Sequence, residues 1–508
     1  MNANLYSHLS AHFPTDLSAC AIETEDGLYY SFADVEHASA MIANLFVRSG
    51  LVSGDRVAVQ VEKSAEALLL YLACLRAGLV YLPLNPAYRE SELAHFLGNA
   101  QPRSVVCSPK DFSWLSRIAF KAGAKQVFTL GDQRNGSLLE RAQFESRTFD
   151  TVLSQTDDLA AILYTSGTTG KSKGAMLSHG NLYSNAAVLK HAWAWQPGDV
   201  LLHALPLFHV HGLFVAAHGA LLNGSKMILL NRFDPRRVMH ELPRTTVFMG
   251  VPTFYVRLLA EPGFDGEVCR NVRLFVSGSA PLLEETFAAF RERTGHTILE
   301  RYGMSETVML LSNPYAGPRL AGTVGQPLDG VSVRVVDDQD RPCEPEEVGN
   351  IQVKGPNVFS GYWRMPEKTL EEFTADGYFK TGDMGCWGKP GTEKEGYLSI
   401  VGRSKDLIIT GGYNVYPKEV ESYLDALPGV LESAVIGVAH PDFGEAVTAV
   451  VVPAERAPRD EAALIAALKA AIANFKVPKR IYFVDELPRN TMGKVQKNVL
   501  RERFGAKS

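Results

Sequence analysis

Helix-like and strand-like segments alternate along most of this chain, and that alternation narrows the available folds more than any other feature. Residues 64–77 have helical periodicity, and 80–84 follow as an extended apolar run. Ser104–Cys107 and Gln126–Thr129 read as short strands. Parallel strands need a crossover, usually a helix, so this order predicts an α/β fold with largely parallel sheets. At 508 residues the chain exceeds what one hydrophobic core serves, and two or more domains are expected. Val331, Val333 and Val335 alternate with other residues before an Asp337-Asp338 turn, which marks a smaller β-rich portion. The texture changes at Gly402-Arg403-Ser404-Lys405-Asp406, a charged break between apolar strands. Beyond it Leu464, Ile465, Leu468, Ile472 and Phe475 form one helical stripe. The expected layout is a large N-terminal domain over 1–402, made of layered α/β subdomains plus the β-rich portion. A small C-terminal α+β domain follows over 403–508.

Composition removes several function classes. Hydrophobic content of 46% and charged content of 21% describe an ordinary globular protein. A net charge of −5 is too mild to call for nucleic acid or an acidic membrane. The six cysteines include no CxxC pair, which argues against a zinc ribbon and fits a reducing, cytoplasmic setting. No signal peptide is visible at the N-terminus, and the apolar run 67–75 is too short to span a bilayer.

The segment AAILYTSGTTGKSKGAML carries the first chemistry. Residues 160–163 read as a buried strand, and then Gly167, Gly170 and Gly174 forbid a regular element. Thr165, Ser166, Thr168, Thr169 and Ser172 supply hydroxyls; Lys171 and Lys173 supply charge. Donors and cations on a glycine loop suit a polyphosphate. A P-loop is excluded, because GxxxxGK[ST] needs glycine at 165 and Thr165 stands there.

Other glycine-rich segments follow. Gly278, Ser279, Ala280 and Pro281 come after an apolar strand and leave room for a flat group. Glu300-Arg301-Tyr302-Gly303-Met304-Ser305-Glu306-Thr307 offers an aromatic face, two hydroxyls and, in Glu306, a carboxylate suited to Mg²⁺ beside phosphates. Asp383, in a Thr-Gly-Asp turn, can accept the hydroxyls of a ribose. Lys494 stands on a glycine-led loop near the C-terminus.

Taken in order, YTSGTTGKSKGAMLSH (164–179), ERYGMSET (300–307), YFKTGDM (378–384), IVGRSKDLIITGGYNVYPKEVE (400–421) and LPRNTMGKVQK (487–497) resemble the motifs of the adenylate-forming superfamily. That superfamily holds acyl- and aryl-CoA synthetases, amino-acid adenylation domains and luciferases. HALPLFHVHGLFVA (203–216), MGVPTFYVRLL (249–259), LFVSGSAPLL (274–283) and VKGPNVFSGYWRMPEKT (353–369) look like its malonyl-CoA synthetase branch. Ser305 departs from the usual threonine but keeps the hydroxyl.

The resemblance implies two half-reactions with ATP, Mg²⁺ and CoA: adenylation of a carboxylate, then thioester formation with release of AMP. Lys494 would hold the attacking carboxylate against the α-phosphate. Residues 165–173 would cover the β,γ-phosphates, and Glu306 would hold Mg²⁺. Asp383 and Arg403 would grip the ribose, and Gly278, Ser279, Ala280, Pro281 and Tyr302, with the Gly303, Ser305 and Thr307 segment, would frame the nucleotide. The C-terminal domain would be mobile and turn about Lys405, presenting Gly411 and Gly412 to the pantetheine arm. For malonate or methylmalonate, the second carboxylate needs a buried cation. Arg257 is the one charge in the apolar stretch 247–259, which makes it the expected anchor, helped by Ser279. His209 matches the family's substrate-side histidine. A monomer or weak homodimer is expected. The alternatives are a medium-chain acyl- or aryl-CoA ligase, a ligase loading a carrier protein, and a non-catalytic nucleotide-binding protein on the same scaffold.

Overall fold

The structure, a computed structural model, describes residues 2–165, 172–410, 413–440, 443–490 and 493–505. The chain divides into two compact units. One comprises 1–332 and 353–379; the other comprises 333–352 and 380–508. The expected hinge residue Lys405 therefore lies inside the second unit, which also takes in most of the β-rich portion.

The first unit is α/β, with two large sheets. The six-stranded sheet runs Gln126–Thr129, Ser104–Cys107, Arg56–Gln60, Val80–Pro83, Leu159–Thr165, Lys173–Ser178. All neighbours in it are parallel except the last two strands, which form an antiparallel hairpin. Residues 160–163 are buried as expected, since both faces of a sheet of this kind are covered. Helix Ala65–Arg76 is buried along its whole length. It starts because the Ser64 hydroxyl accepts from the Ala67 N–H, satisfying a helix-end donor.

The nine-stranded sheet has a parallel centre: Leu299–Met304, Leu274–Ser277, Val247–Gly250, Val200–His203, Lys226–Leu229, Cys20–Thr24. Strands Val247–Gly250 and Leu274–Ser277 end level with each other, and Ser277 is level with Glu300, where the parallel pairing of Leu299–Met304 stops while that strand runs on to Met304. Ligands of open α/β sheets bind beyond such carboxyl ends. The sheet rests on a core that includes Phe248, Tyr255, Phe275 and Phe290. Burial of each such side chain contributes about 1.5–3 kcal/mol.

The second unit holds most of a four-stranded sheet, Ser332–Val336, Gly349–Lys354, Phe379–Trp387, Leu398–Arg403, and a five-stranded sheet built on the long hairpin Val430–His440 and Gly444–Pro453. The predicted stripe packs on the second sheet, with Leu468 fully buried and Leu464, Ile465, Ile472 and Phe475 beside it. Helix Glu461–Ala471 stops before Ile472, however, whose backbone is extended while its N–H still bonds to Leu468. Ile472 and Phe475 thus reach the stripe from a loop. Among the described residues no helix is long and apolar enough to cross a membrane.

Candidate functional site

Beyond the level carboxyl ends of Val247–Gly250 and Leu274–Ser277 lies a turn with unusual geometry. Ser279 has φ +72°, a left-handed conformation that costs a side-chain-bearing residue about 1–2 kcal/mol. The turn swings its hydroxyl to 3.3 Å from Nδ1 of His211. Ala280 is half-buried and Pro281 exposed. Behind the turn, Gly278 lies against the Arg301 guanidinium. A Cβ at Gly278 would stand 2.4 Å from its central carbon, so any side chain there would have to displace the guanidinium.

Arg301 is 3% exposed, and neither Nε nor Nη2 has a hydrogen-bond partner among the described residues. Burial pulls its pKa down to about 9, with Tyr255 and Glu300 pulling weakly upward, so the group is still a cation at neutral pH. His211 is fully buried, and its Nε2 is likewise unpartnered among the described residues. Burial, then the Arg301 charge, push its pKa well below the usual histidine value, which keeps the ring neutral. Buried polar groups without partners are rare in folded proteins and point to a missing ligand. The orphans on Arg301 and His211 are nitrogens, which suits an anion with several acceptor oxygens.

His209 is half-buried next to this cluster; its Nδ1 accepts the His211 N–H at 3.4 Å. Arg257 corrects the sequence expectation of a buried anchor. It sits on helix Pro252–Ala260, whose Tyr255 and Leu258 face the core, and it is exposed. Two residues round the helix from Tyr255 is about 200°, the opposite face.

The hairpin Leu159–Thr165/Lys173–Ser178 brings the stems of the expected phosphate loop together, with Thr165 paired to Lys173. The calls on Ser166, Gly167, Thr168, Thr169, Gly170 and Lys171 lie outside the described residues. The Thr165 hydroxyl is 3.4 Å from Oε1 of Glu306, which also accepts from the Tyr362 hydroxyl at 3.0 Å. Burial, followed by the Glu306 charge, raises the Tyr362 pKa, so it stays a donor. The Lys173 ammonium is buried over the Tyr362 ring, 4.1 Å from its centroid, and pairs with Glu372 at 3.2 Å. The sequence pair Thr165 and Glu306, 141 residues apart, thus meets at one point. One carboxylate and one hydroxyl form a donor set that fits Mg²⁺, which takes its remaining ligands from phosphates and water. Among the described residues there is no cluster of three or more His, Cys, Asp or Glu that would hold a metal alone. Tyr302 and Ser305 are half-buried near the start of the same turn, while Thr307 is fully buried. Gly303 packs where a Cβ would clash with the Val308 carbonyl at 1.8 Å.

The second unit carries the remaining calls. Asp383 and Arg403 face each other across an antiparallel pair, and Nε of Arg403 is 3.1 Å from the Asp383 carboxylate. Burial, then Arg403, lower the Lys494 pKa to about 8, with Asp383 opposing. The Lys494 loop is held by Asn490, whose side chain accepts the Lys494 N–H at 2.9 Å. Lys405 lies in the short turn Ser404–Asp406, where Asp406 pairs with Arg501 at 2.6 Å. Gly411 and Gly412 fall outside the described residues.

Residues 10–363 match the AMP-binding enzyme family, and 419–494 match the AMP-binding enzyme C-terminal domain. The chain belongs to the AMP-binding enzyme family. Relatives of this AMP-binding enzyme include a malonate–CoA ligase from Arabidopsis thaliana, 37% identical over 94% of this chain and 85% of the relative. A feruloyl-CoA synthase from an Amycolatopsis species is 35% identical over 94% and 95% of the two chains. Among solved structures, ATP-bound MatB from Rhodopseudomonas palustris is 54% identical, with a TM-score of 0.96 and 99% of both chains covered.

Arg301 was not singled out in the sequence. It stands immediately before Tyr302, which drew attention for its aromatic face. A charged residue inside a strand that enters an apolar sheet was the signal available.

Proposed function

We propose that this enzyme is a malonyl-CoA synthetase: it joins malonate to CoA through a malonyl-adenylate, releasing AMP and pyrophosphate. The observation that carries the reading is Arg301, a buried guanidinium with two orphan nitrogens at the carboxyl ends of the parallel strands. A monocarboxylic acid would leave that cation uncompensated. A dicarboxylate supplies the counter-charge, and a guanidinium with neighbouring neutral donors binds a carboxylate in two-point fashion. His211 and Ser279 are suited to complete the shell, and His209 to line the acyl side. The malonate–CoA ligase relative supports the same reading.

The chemistry then divides by residue. One oxygen of the free carboxylate attacks the α-phosphorus of ATP, and the bond to the bridging oxygen of pyrophosphate breaks. Lys494 neutralises the two anions as they are pressed together. The 165–173 segment holds the β,γ-phosphates, and Asp383 with Arg403 holds the ribose. Tyr302, Gly303, Ser305 and Thr307 form the nucleotide side with 278–281. Glu306 and Thr165 would hold Mg²⁺, which would offset phosphate charge. The CoA sulfur then attacks the acyl carbon, its proton passes to solvent, and AMP departs. For that second step Lys405 acts as the pivot and Gly411 and Gly412 give the thin pantetheine arm close backbone approach.

A substrate panel tests the reading. AMP release is measured with ATP, Mg²⁺ and CoA for malonate, methylmalonate, propionate, octanoate and 4-coumarate. Malonate is expected to lead propionate by about 10²-fold or more in kcat/KM, the scale of one buried charge pair. Octanoate or coumarate ahead of malonate would end the proposal and favour an acyl- or aryl-CoA ligase.

A further inference from the structure

A buried network outside the reacting groups ends at the acyl site. Lys63 lies in the loop after strand Arg56–Gln60 of the six-stranded sheet. Its ammonium reaches His203, the last residue of strand Val200–His203 in the other sheet. It is 2.9 Å from the His203 ring Nδ1 and 2.8 Å from the His203 carbonyl oxygen. The His203 ring is 99% buried, and its Nε2 is 2.8 Å from the Gly212 carbonyl. An amine donating to Nδ1 leaves Nε2 as the protonated nitrogen, which donates to Gly212. Burial and the nearby Lys63 charge keep His203 neutral, consistent with that tautomer.

Gly212 is the second residue of a π-helix, His211–Ala217. Wide turns of this kind are frequent at functional sites. Gly212 is also wedged on the Pro206 carbonyl, where a Cβ would stand at 2.0 Å. The first residue of that same turn is His211, whose ring meets Ser279. So Lys63, His203, Gly212, His211 and Ser279 form one continuous chain of contacts between two sheets of a single unit.

We propose that Lys63 is a positioning residue for acid selection: by fixing the His203 imidazole it holds the opening turn of the π-helix, and with it the direction in which His211 faces the acyl pocket. Lys63 itself touches no substrate. The inference rests on the malonate reading for the identity of the acid, but not for the network.

The test uses the full-length enzyme with Lys63→Met, Lys63→Gln, His203→Phe and the Lys63→Met/His203→Phe double variant. AMP release is followed with malonate and with propionate, and the KM for ATP is recorded. In the parent, ¹⁵N-histidine NMR should report His203 as the Nε2–H tautomer with a hydrogen-bonded Nδ1. Lys63→Met should shift that Nδ1 signal and lower kcat/KM for malonate about tenfold, the scale of one buried hydrogen bond, with the KM for ATP unchanged. Propionate should lose less than half as much on a logarithmic scale. Lys63→Gln keeps a donor and should restore most of the activity. It also carries the test if the methionine variant does not fold. The double variant should be no worse than the poorer single one, since both break one chain.

Equal losses for both acids, losses that multiply in the double variant, or an unmoved His203 signal would each overturn the role. A parent that uses propionate as well as malonate would sink the malonate reading instead. The NMR signal and the double variant would still decide Lys63.

Discussion

Arg301 is a buried cation and Lys494 a half-buried one, and they are built in opposite ways. Arg301 stands on a strand in the first unit, wedged against a glycine, with nitrogens that find no partner among the described residues. Lys494 stands on a loop in the second unit, in a neighbourhood of charges of both signs that includes Arg403 and Asp383. A guanidinium survives burial as a cation because its intrinsic pKa is so high; an amine does not hold its proton as firmly. The first arrangement suits a fixed receptor for a permanent anion. The second suits a charge that is needed at one step and is sensitive to its surroundings.

That contrast can be broken experimentally. The largest expected effect is from Lys405→Pro, which fixes one backbone angle at the proposed pivot of the Lys494-bearing segment. ATP–pyrophosphate exchange should stay within about threefold of the parent, while CoA thioester formation is lost, on the order of 10³-fold, as expected when one conformational step is blocked. Equal damage to both steps would remove Lys405 as the pivot. Next, Lys494→Ala should slow adenylation by about 10²-fold or more. Thioester formation from supplied malonyl-AMP should survive, and parallel loss of both would refute the step-specific role.

Arg301→Met should cut kcat/KM for malonate by about 10²-fold, with a much smaller effect on propionate. Arg257→Leu, on an exposed helix face, should cost malonate less than about threefold. If the two arginine variants lose malonate equally, the exposed arginine also contacts the acid.

A further prediction concerns pH. In the proposed mechanism Lys494 acts as a cation, and its pKa is lowered to about 8. Its contribution is therefore present below pH 8 and disappears as pH rises through that value. In a pH profile, kcat/KM for ATP should be level below that point and fall up to tenfold per unit above it. Lys494→Arg, slower throughout, should lose this descending limb. A limb that persists in the arginine variant belongs to another group.

Much of the fold could be read from the residues because the decisive signals are local. Ser104–Cys107 and Gln126–Thr129 appear as strands with the expected bounds, since short apolar runs between turn residues have few alternatives. The helix at 65–76 was legible for the same reason. The proposed acyl site was less so. Arg257 drew attention because it was the only charge in its stretch, but charge isolation carries no direction; helical phase does, and it turns Arg257 outward. Arg301 gains its meaning from Gly278, a neighbour only after two strands pair. Lys63 and His203, 140 residues apart, belong to different sheets, and no spacing in the sequence announces their contact.

The missing side chain at 278 has an evolutionary corollary. A mutation there would shove the guanidinium aside, while shrinking Arg301 first would leave a hole beside a bare glycine. Each substitution alone is a step downhill in fitness for this acid. A lineage drifting toward bulkier, uncharged acids would thus have to change both positions nearly together, and the acid preference should be slow to wander.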